Sequence, residues 1–327
     1  MSKHSGIRRA LTGFGLACLF ATTAHAQNFP AKPVHLVVPF APGGGTDTVA
    51  RGLADGLRQI WNQPVIVENK PGGGQFVGSE YVARAAPDGY TILVANDAGL
   101  EYNLALYSKM PYDPRKDYAL VTRLVQINEL VLVNSGVPVN SAREFIEYAR
   151  KNPDKLNYGS PTVGSPEQIG MEAFATAAGF KITHVAYKGT APALLGVVAG
   201  DVQAIVTSTL IADQYIKSGK LKPLVVSGKT RSRLVPDTPT FAEIGYPDLM
   251  LGYYLAFVAP AGTPQPLLDK IAADTRTVLN SPAFRAKFVD PFEYEIMAET
   301  PAEFAAYYKA HLPIAMKRAQ DSGAKLD

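Results

Sequence analysis

The sequence predicts an α/β fold organised as two units. Short apolar runs alternate with stretches of helical periodicity, glycine-rich turns join one to the next, and no Gly/Ser linker or low-complexity stretch divides the chain. At 327 residues the chain is in the range where one core tends to split into two. A hydrophobic share of 47% and a charged share of 19% are ordinary globular values, which excludes disordered, collagen-like, coiled-coil and disulfide-scaffold classes.

The first 26 residues stand apart. Met1 to Arg9 carries Lys3, Arg8 and Arg9 and no acid, the next stretch to Thr23 is uncharged and mostly apolar, and Ala24-His25-Ala26 has the small-x-small form of a secretory cleavage site. The apolar run is too short to span a bilayer, so a signal peptide cut after Ala26 is expected, with export to the periplasm. A lipoprotein attachment at Cys18 competes, but the Ala-x-Ala cut is the better match. Removing the leader takes three of the 32 basic residues, no acid and the only Cys, leaving 29 bases against 29 acids. The formal +3 charge is then an export signal, and with it goes the hint of a nucleic-acid partner. No later stretch approaches 18 consecutive apolar residues.

Residues 35–40 (HLVVPF) read as a buried strand ending in the turn Ala41-Pro42-Gly43-Gly44-Gly45. Thr46 or Asp47 then caps a helix to about residue 59, with Val49, Leu53, Leu57 and Ile60 on one face. A strand over 65–68, the turn Pro71-Gly72-Gly73-Gly74, a helix around 79–86 and a strand over 91–95 follow. This β-α-β-α-β run predicts parallel pairing with right-handed crossovers. The pattern then repeats. Strands are expected over 130–133, 156–159, 183–186, 204–206, 224–226 and 255–259. Helices are expected over 142–151 behind Ser141, over 165–178 ending at Gly179, and over 191–199 ending at Gly200. Two terminal helices, 266–279 and 301–320, each start at Pro.

Tests for catalytic chemistry fail. His35, His184 and His311 stand alone without a second ligand at metal spacing, and no Gly-x-Ser-x-Gly occurs. Gly228-Lys229-Thr230 lacks the first Gly of a phosphate loop, since Pro223 stands there. Gly43-Gly44-Gly45 lacks the dinucleotide spacing, since position 48 is Thr48. Neither metal nor cofactor is expected. What survives is anion binding. A Pro-Gly-Gly-Gly turn leading into a helix points several backbone N–H groups one way, at the positive end of a helix dipole. Gly159-Ser160-Pro161-Thr162-Val163-Gly164-Ser165 is a second such loop, one per unit, which favours a ligand held between two lobes.

The chain resembles the extracytoplasmic solute receptors of tripartite tricarboxylate transporters, the Bug receptors, over essentially all of its mature length. The resemblance rests on Val38-Pro39-Phe40-Ala41-Pro42-Gly43-Gly44-Gly45-Thr46-Asp47, Val67-Glu68-Asn69-Lys70-Pro71-Gly72-Gly73-Gly74 and Pro87-Asp88-Gly89-Tyr90-Thr91. Asn157-Tyr158-Gly159-Ser160, Val185-Ala186-Tyr187-Lys188-Gly189, Pro236-Asp237-Thr238-Pro239-Thr240 and Ala259-Pro260-Ala261-Gly262-Thr263-Pro264 continue it in order. It implies a two-lobed periplasmic binding protein fold of type II, with 27–126 and 252–327 as one lobe and 127–251 as the other. It also implies that a monomer delivers a small organic acid, amide or amino-acid-like ligand to two integral membrane transporter subunits. A sensor feeding a two-component system would use the same fold.

Carried over by that resemblance, Phe40, Ala41, Gly43, Gly44, Thr46 and Asp47 clasp the ligand from one side, and Gly159, Ser160, Thr162, Gly164 and Ser165 from the other. Asn96 and Asp97 after the third strand, and Tyr187, Thr207 and Ser208 at neighbouring strand ends, complete the set. Asp47 has a second reading, as a cap that fixes its loop. The chain departs from its relatives in carrying Glu167-Gln168 at the start of the second-lobe helix, where a polar pair such as Asn-His is usual. With Asp97, Glu101 and Glu129 this makes four carboxylates near pocket-forming loops, which would oppose a doubly charged anion. They are expected to face outward or to pair with Lys70 or Lys188, because exposed acids are the rule. If they face the cleft, the ligand is a monocarboxylate, amide or zwitterion bearing a hydrogen-bond donor.

Overall fold

Two mixed sheets, each flanked by helices, carry the fold of the computed structural model, which describes residues 29–153 and 155–326. The leader, Cys18 and the cleavage site after Ala26 lie outside the described residues.

The apolar run VHLVV forms β1 (Val34–Val38), and α1 (Gly45–Trp61) buries Val49, Leu53, Leu57 and Trp61 against it. Its N-cap is Gly44 with no side-chain cap, so Thr46 and Asp47 lie inside the first turn and do not cap it as expected. Next come β2 (Val65–Asn69) and α2 (Phe76–Ala83), which starts earlier than expected because a short turn at Gly73–Gln75 leads straight into it. β3 (Thr91–Asn96) passes through a π-helical turn (Ala98–Tyr102) into α3 (Asn103–Leu106). β4 (Tyr118–Asn128) has no counterpart in the sequence reading, because its buried Thr122, Arg123 and Gln126 break the apolar pattern that marks a core strand.

β5 (Leu130–Asn134) opens the second sheet. The Ser141 hydroxyl caps α4 (Ala142–Lys151), and β6 (Asn157–Ser160) leads to α5 (Pro166–Ala178), capped by Ser165 and ended by left-handed Gly179. β7 (Thr183–Ala186), α6 (Thr190–Ala199), β8 (Ala204–Thr207), the unforeseen α7 (Thr209–Lys217) and β9 (Leu221–Val226) complete it. The chain returns through β10 (Gly252–Pro260), α8 (Gln265–Leu279), α9 (Pro282–Phe284), β11 (Glu295–Ile296) and α10 (Pro301–Asp321), whose Thr300 and Glu303 form a capping box. Among the described residues no helix is long and apolar enough to cross a membrane.

The six-stranded sheet has the order β11-β4-β10-β3-β1-β2 and the five-stranded one β7-β6-β8-β5-β9. β1 pairs in parallel with β2 and β3, and β6 with β7 and β8. The expectation of parallel pairing holds only there: β10 runs antiparallel to β3 and β4, and β5 antiparallel to β8 and β9. The reversed strands are the ones that carry the chain between sheets or lie beside them. A direct crossing has no helix to restore the strand's direction.

The outward crossing is one residue long, since β4 ends at Asn128 and β5 begins at Leu130, leaving Glu129 between them. The return strand lies alongside, with Gly252 opposite Asn128. A Cβ on Gly252 would sit 2.0 Å from the Ile127 carbonyl oxygen, and its φ of +108° is one that residues with a Cβ rarely adopt. At the far edge, Ala98, Tyr102 and Leu106 pack with Ile169, Ala315 and Ala319, so the C-terminal helix α10 touches both lobes.

Gly252→Ala is expected to lower the unfolding free energy by at least about 2 kcal/mol through strain and backbone clash. Gly245→Ala, where φ is +97° but open space surrounds the Cβ position, should cost only about 1–2 kcal/mol. Denaturant unfolding of both variants checks the order, and equal losses would contradict it.

Candidate functional site

A cleft of about 620 Å³ opens between the sheets, and the ends of four helices define it. Gly44 and Gly45 at the start of α1, Gln75 before α2, Ser165 and Pro166 at the start of α5, and Thr190 at the start of α6 all lie in its wall. Each helix leaves its first N–H groups without intrahelical partners and carries partial positive charge there. The wall therefore offers an anion backbone donors from several directions. Among the described residues no Lys, Arg or His lines it, and Glu167 is the one acidic side chain there.

Side-chain hydrogen bonds hold these loops in shape. The buried carboxylate of Asp47 accepts from the Gly43 N–H, Arg51 Nε and Asn69 Nδ2, each at 2.9 Å. Burial alone would raise its pKa, but the Arg51, Gly43 and Asn69 donors outweigh that and leave it lowered. Asn103 Nδ2 donates to the Gly74 carbonyl at 3.1 Å, and Gln168 Oε1 accepts from the Gly164 N–H at 2.7 Å. The Ser160 hydroxyl is fully buried, donating to the Thr162 carbonyl at 2.9 Å and lying 2.6 Å from His184 Nε2.

Of the sequence-predicted residues, Phe40, Ala41, Gly44, Thr46 and Asn96 lie in the wall on one side and Thr162, Gly164 and Ser165 on the other. The others do not line it. Gly43 and Asp47 bond to each other, and Asp97 is buried at the end of β3 with its carboxylate on the Ala98 N–H at 2.9 Å. Gly159 is packed under Tyr187, whose ring also fills the space beside Gly196. Ser160 points inward, Thr207 is 1% exposed with no hydrogen-bond partner for its hydroxyl, and Ser208 precedes α7 without capping it. The sequence reading treated Pro71 to Gly74 as a turn only. The structure places Pro71, Gly72 and Gly74 in the wall, and the signal was the same Pro-Gly-Gly-Gly motif already noted at the first loop. Tyr253, on the return strand, and Leu326, beside Gly164, line the cleft with no local sequence signal.

The acids do not face outward as expected. Asp97, Glu101, Glu129 and Glu167 are 3%, 0%, 4% and 8% exposed, packed at the strand crossing and beside the helix starts. Nor do the lysines neutralise them: Lys70 pairs with Glu68 at 3.2 Å, and Lys188 is exposed. Glu101 is satisfied by the Tyr254 hydroxyl at 2.6 Å and His311 Nδ1 at 2.8 Å. The other three form a seam around Tyr253. Burial pushes Glu129 well above the carboxylate range, with the charges of Glu167 and Asp97 adding to it, and one of its oxygens has no partner. Burial likewise raises Asp97, helped by Glu101, and raises Glu167 against the opposing hydrogen bonds from its own backbone N–H and the Ser165 hydroxyl. The Tyr253 phenol is raised by burial and then by the charges of Glu129, Glu167 and Asp97. A second cavity of about 510 Å³ lies beyond Glu129, and there Lys229, Arg231, Arg233 and Arg285 each meet a carboxylate.

Comparison with known proteins places these features in context. A family model, the tripartite tricarboxylate transporter family receptor, matches residues 49–311. A UPF0065 protein of Bordetella pertussis is 37% identical over 287 residues, 87% of each chain. The structure of periplasmic binding protein BugD is similar with a TM-score of 0.74 and 33% identity, covering 91% of this chain and 99% of that one. R. palustris Rpa4515 with adipate gives a TM-score of 0.78 and 30% identity, covering 91% and 100%. These likenesses agree with the two-lobed fold and the family resemblance read from the motifs.

The seam has a consequence for stability. Glu129 ordinarily titrates near 4.5, and its folded-state value is higher. Its contribution to stability is therefore greatest below about 4.5 and is lost as pH rises through the folded value. Glu129→Gln removes that loss, so its melting temperature should exceed that of the parent by about 2–4 °C at pH 8, with the gain vanishing near pH 4.5. Differential scanning fluorimetry across that range checks the sign. A gain that grows towards low pH would contradict it.

Proposed function

This chain belongs to the tripartite tricarboxylate transporter receptor family, and we propose that its cleft captures a single small organic carboxylate and hands it to a membrane transporter. The chain is a solute-binding receptor of the periplasmic type. The observation that carries the ligand class is the convergence of four helix starts on one cleft whose lining, among the described residues, holds no basic side chain. Such a wall binds an anion through oriented N–H groups, which cost no reorganisation when the ligand arrives. The adipate in Rpa4515 supports a carboxylate.

On this reading the leader is removed after Ala26, and the mature chain works in the periplasm as a monomer serving two transporter subunits. Residues 27–126 and 252–327 form one lobe and 127–251 the other. A ligand that touches both lobes favours the closed arrangement by its differential affinity, and the lobes pivot on the paired strands at Asn128 and Gly252. Closure gives the transporter a composite surface to recognise. No bond is made or broken, so the chain needs no nucleophile, metal or cofactor and is not an enzyme.

A thermal-shift screen of small carboxylates tests this. At about 100 times its Kd, a binder adds about 2.7 kcal/mol and raises the melting temperature by about 5–10 °C. Ala41 is exposed in the cleft wall, so Ala41→Trp should fill the cleft and remove the shift while leaving the ligand-free melting temperature within about 2 °C. A shift that survives in Ala41→Trp would place the ligand elsewhere.

A further inference from the structure

The second cavity is bridged by polar bonds rather than filled by side chains. Asn128 and Glu129 at the crossing line it, with the 226–233 segment at the end of β9 on one side and the 285–295 segment that leads into β11 on the other. On the two-lobed reading these sides belong to different lobes, so bonds between them break when the lobes part at this flank. Lys229 Nζ meets Glu295 Oε1 at 3.1 Å, and Arg233 Nη2 donates to the Asp290 carbonyl at 2.7 Å. Glu293 takes a donor on each oxygen: the Arg233 backbone N–H at 2.7 Å on Oε1 and the Ser232 hydroxyl on Oε2. All of these donors come from the second lobe and all of these acceptors from the first.

The bonds are unequal. Lys229 is 83% exposed, and an exposed pair contributes little because water screens it. The Glu293 side chain is only 20% exposed, and its bonds are charge-assisted, one of them to a backbone N–H that needs no side-chain ordering. The backbone of Glu293 is a second observation. Its φ of +55° is a left-handed conformation that a residue with a Cβ rarely adopts, at the end of the turn over Asp290–Phe292. Glycine would suit that position. A glutamate is held there against its preference, with its side chain carried to Ser232 and Arg233 across the cavity. The flank at α10 differs in kind, since Ala98, Tyr102 and Ile169 pack there with Ala315 and Ala319 in an apolar contact.

We propose that Glu293 is a positioning residue: it latches the 229–233 loop of one lobe onto the other and so sets the balance between closed and open lobes without lining the cleft. This rests on the two-lobed receptor reading and adds to it a residue remote from the ligand. A latch that favours closure before binding raises the apparent affinity in proportion to the closed population. Salt screens ion pairs and leaves apolar contacts intact, so the latch weakens as ionic strength rises while the α10 flank holds.

The chain from Gln27 onward has no Cys, so spin-labelled cysteines at exposed Val77 of α2 and Leu195 of α6 report the distance between lobes. In pulsed dipolar spectroscopy of the ligand-free chain, Glu293→Gly should raise the ratio of long to short distances at least about fivefold. Glycine suits the left-handed backbone, so the turn survives this change, and circular dichroism checks that it does. Arg233→Ala attacks the same contact from the other lobe and should act in the same direction, and the two together should give less than the sum of their separate effects. Raising NaCl from about 0.05 M to about 0.5 M should raise the ratio in the parent and much less in Glu293→Gly. Arg285→Ala, which removes a cation of the same cavity whose partner Asp290 lies in its own lobe, should leave the ratio unchanged. Two distances whose ratio neither Glu293→Gly nor Arg233→Ala alters, additive effects of that pair, or an equal response to Arg285→Ala overturns the latch and leaves the hinged receptor standing. One unchanged distance in every sample overturns both.

Discussion

Two antiparallel strands passing side by side from one sheet to the other are the constraint on which the rest of the molecule depends. The outward strand spends one residue on the crossing, and the return strand approaches it so closely that Gly252 has no room for a Cβ. Strands this close exclude solvent, so whatever stands at the crossing is buried, and in this chain it is Glu129. The same pairing puts Tyr253 into the base of the cleft. A seam of two paired strands resists stretching but tolerates bending.

The cleft divides its work between groups that face it and groups that hold them. Helix starts line the cleft, while Asp47, Gln168 and Ser160 outside its wall and Asn103 within it fix the loops through side-chain bonds of 2.7–3.1 Å. Locking the loops before a ligand arrives reduces the ordering entropy that binding must overcome. The buried acids work against that economy, since three carboxyls close together in poor solvent destabilise the unliganded state. Local conflict of this sort persists where a functional demand maintains it.

Much of the fold was legible because its signals are local. The Ser141 and Ser165 caps, the Gly179 and Gly200 helix ends and the apolar runs of β1 and β3 each declare themselves within a few residues. β4 was not, because a strand buried on both faces can hold Arg123 when Glu299 meets it at 2.8 Å from across the fold, and no window of sequence contains that partner. At the site, the two glycine-rich loops were legible as anion-binding turns. Asp47 and Ser160 were found with them, but the structure turns their side chains onto the loops themselves, a distinction that depends on which way a loop side chain points.

The sequence alone determined the class: paired α/β units and glycine loops that open helices, both properties of composition and short-range order. Only the tertiary structure decided where the acids lie. Asp97, Glu129 and Glu167 are far apart along the chain, and each by itself is an ordinary surface residue type that solvation would keep outside. They meet because two sheets share one crossing, and long-range strand pairing, which no local window encodes, sets what that crossing buries.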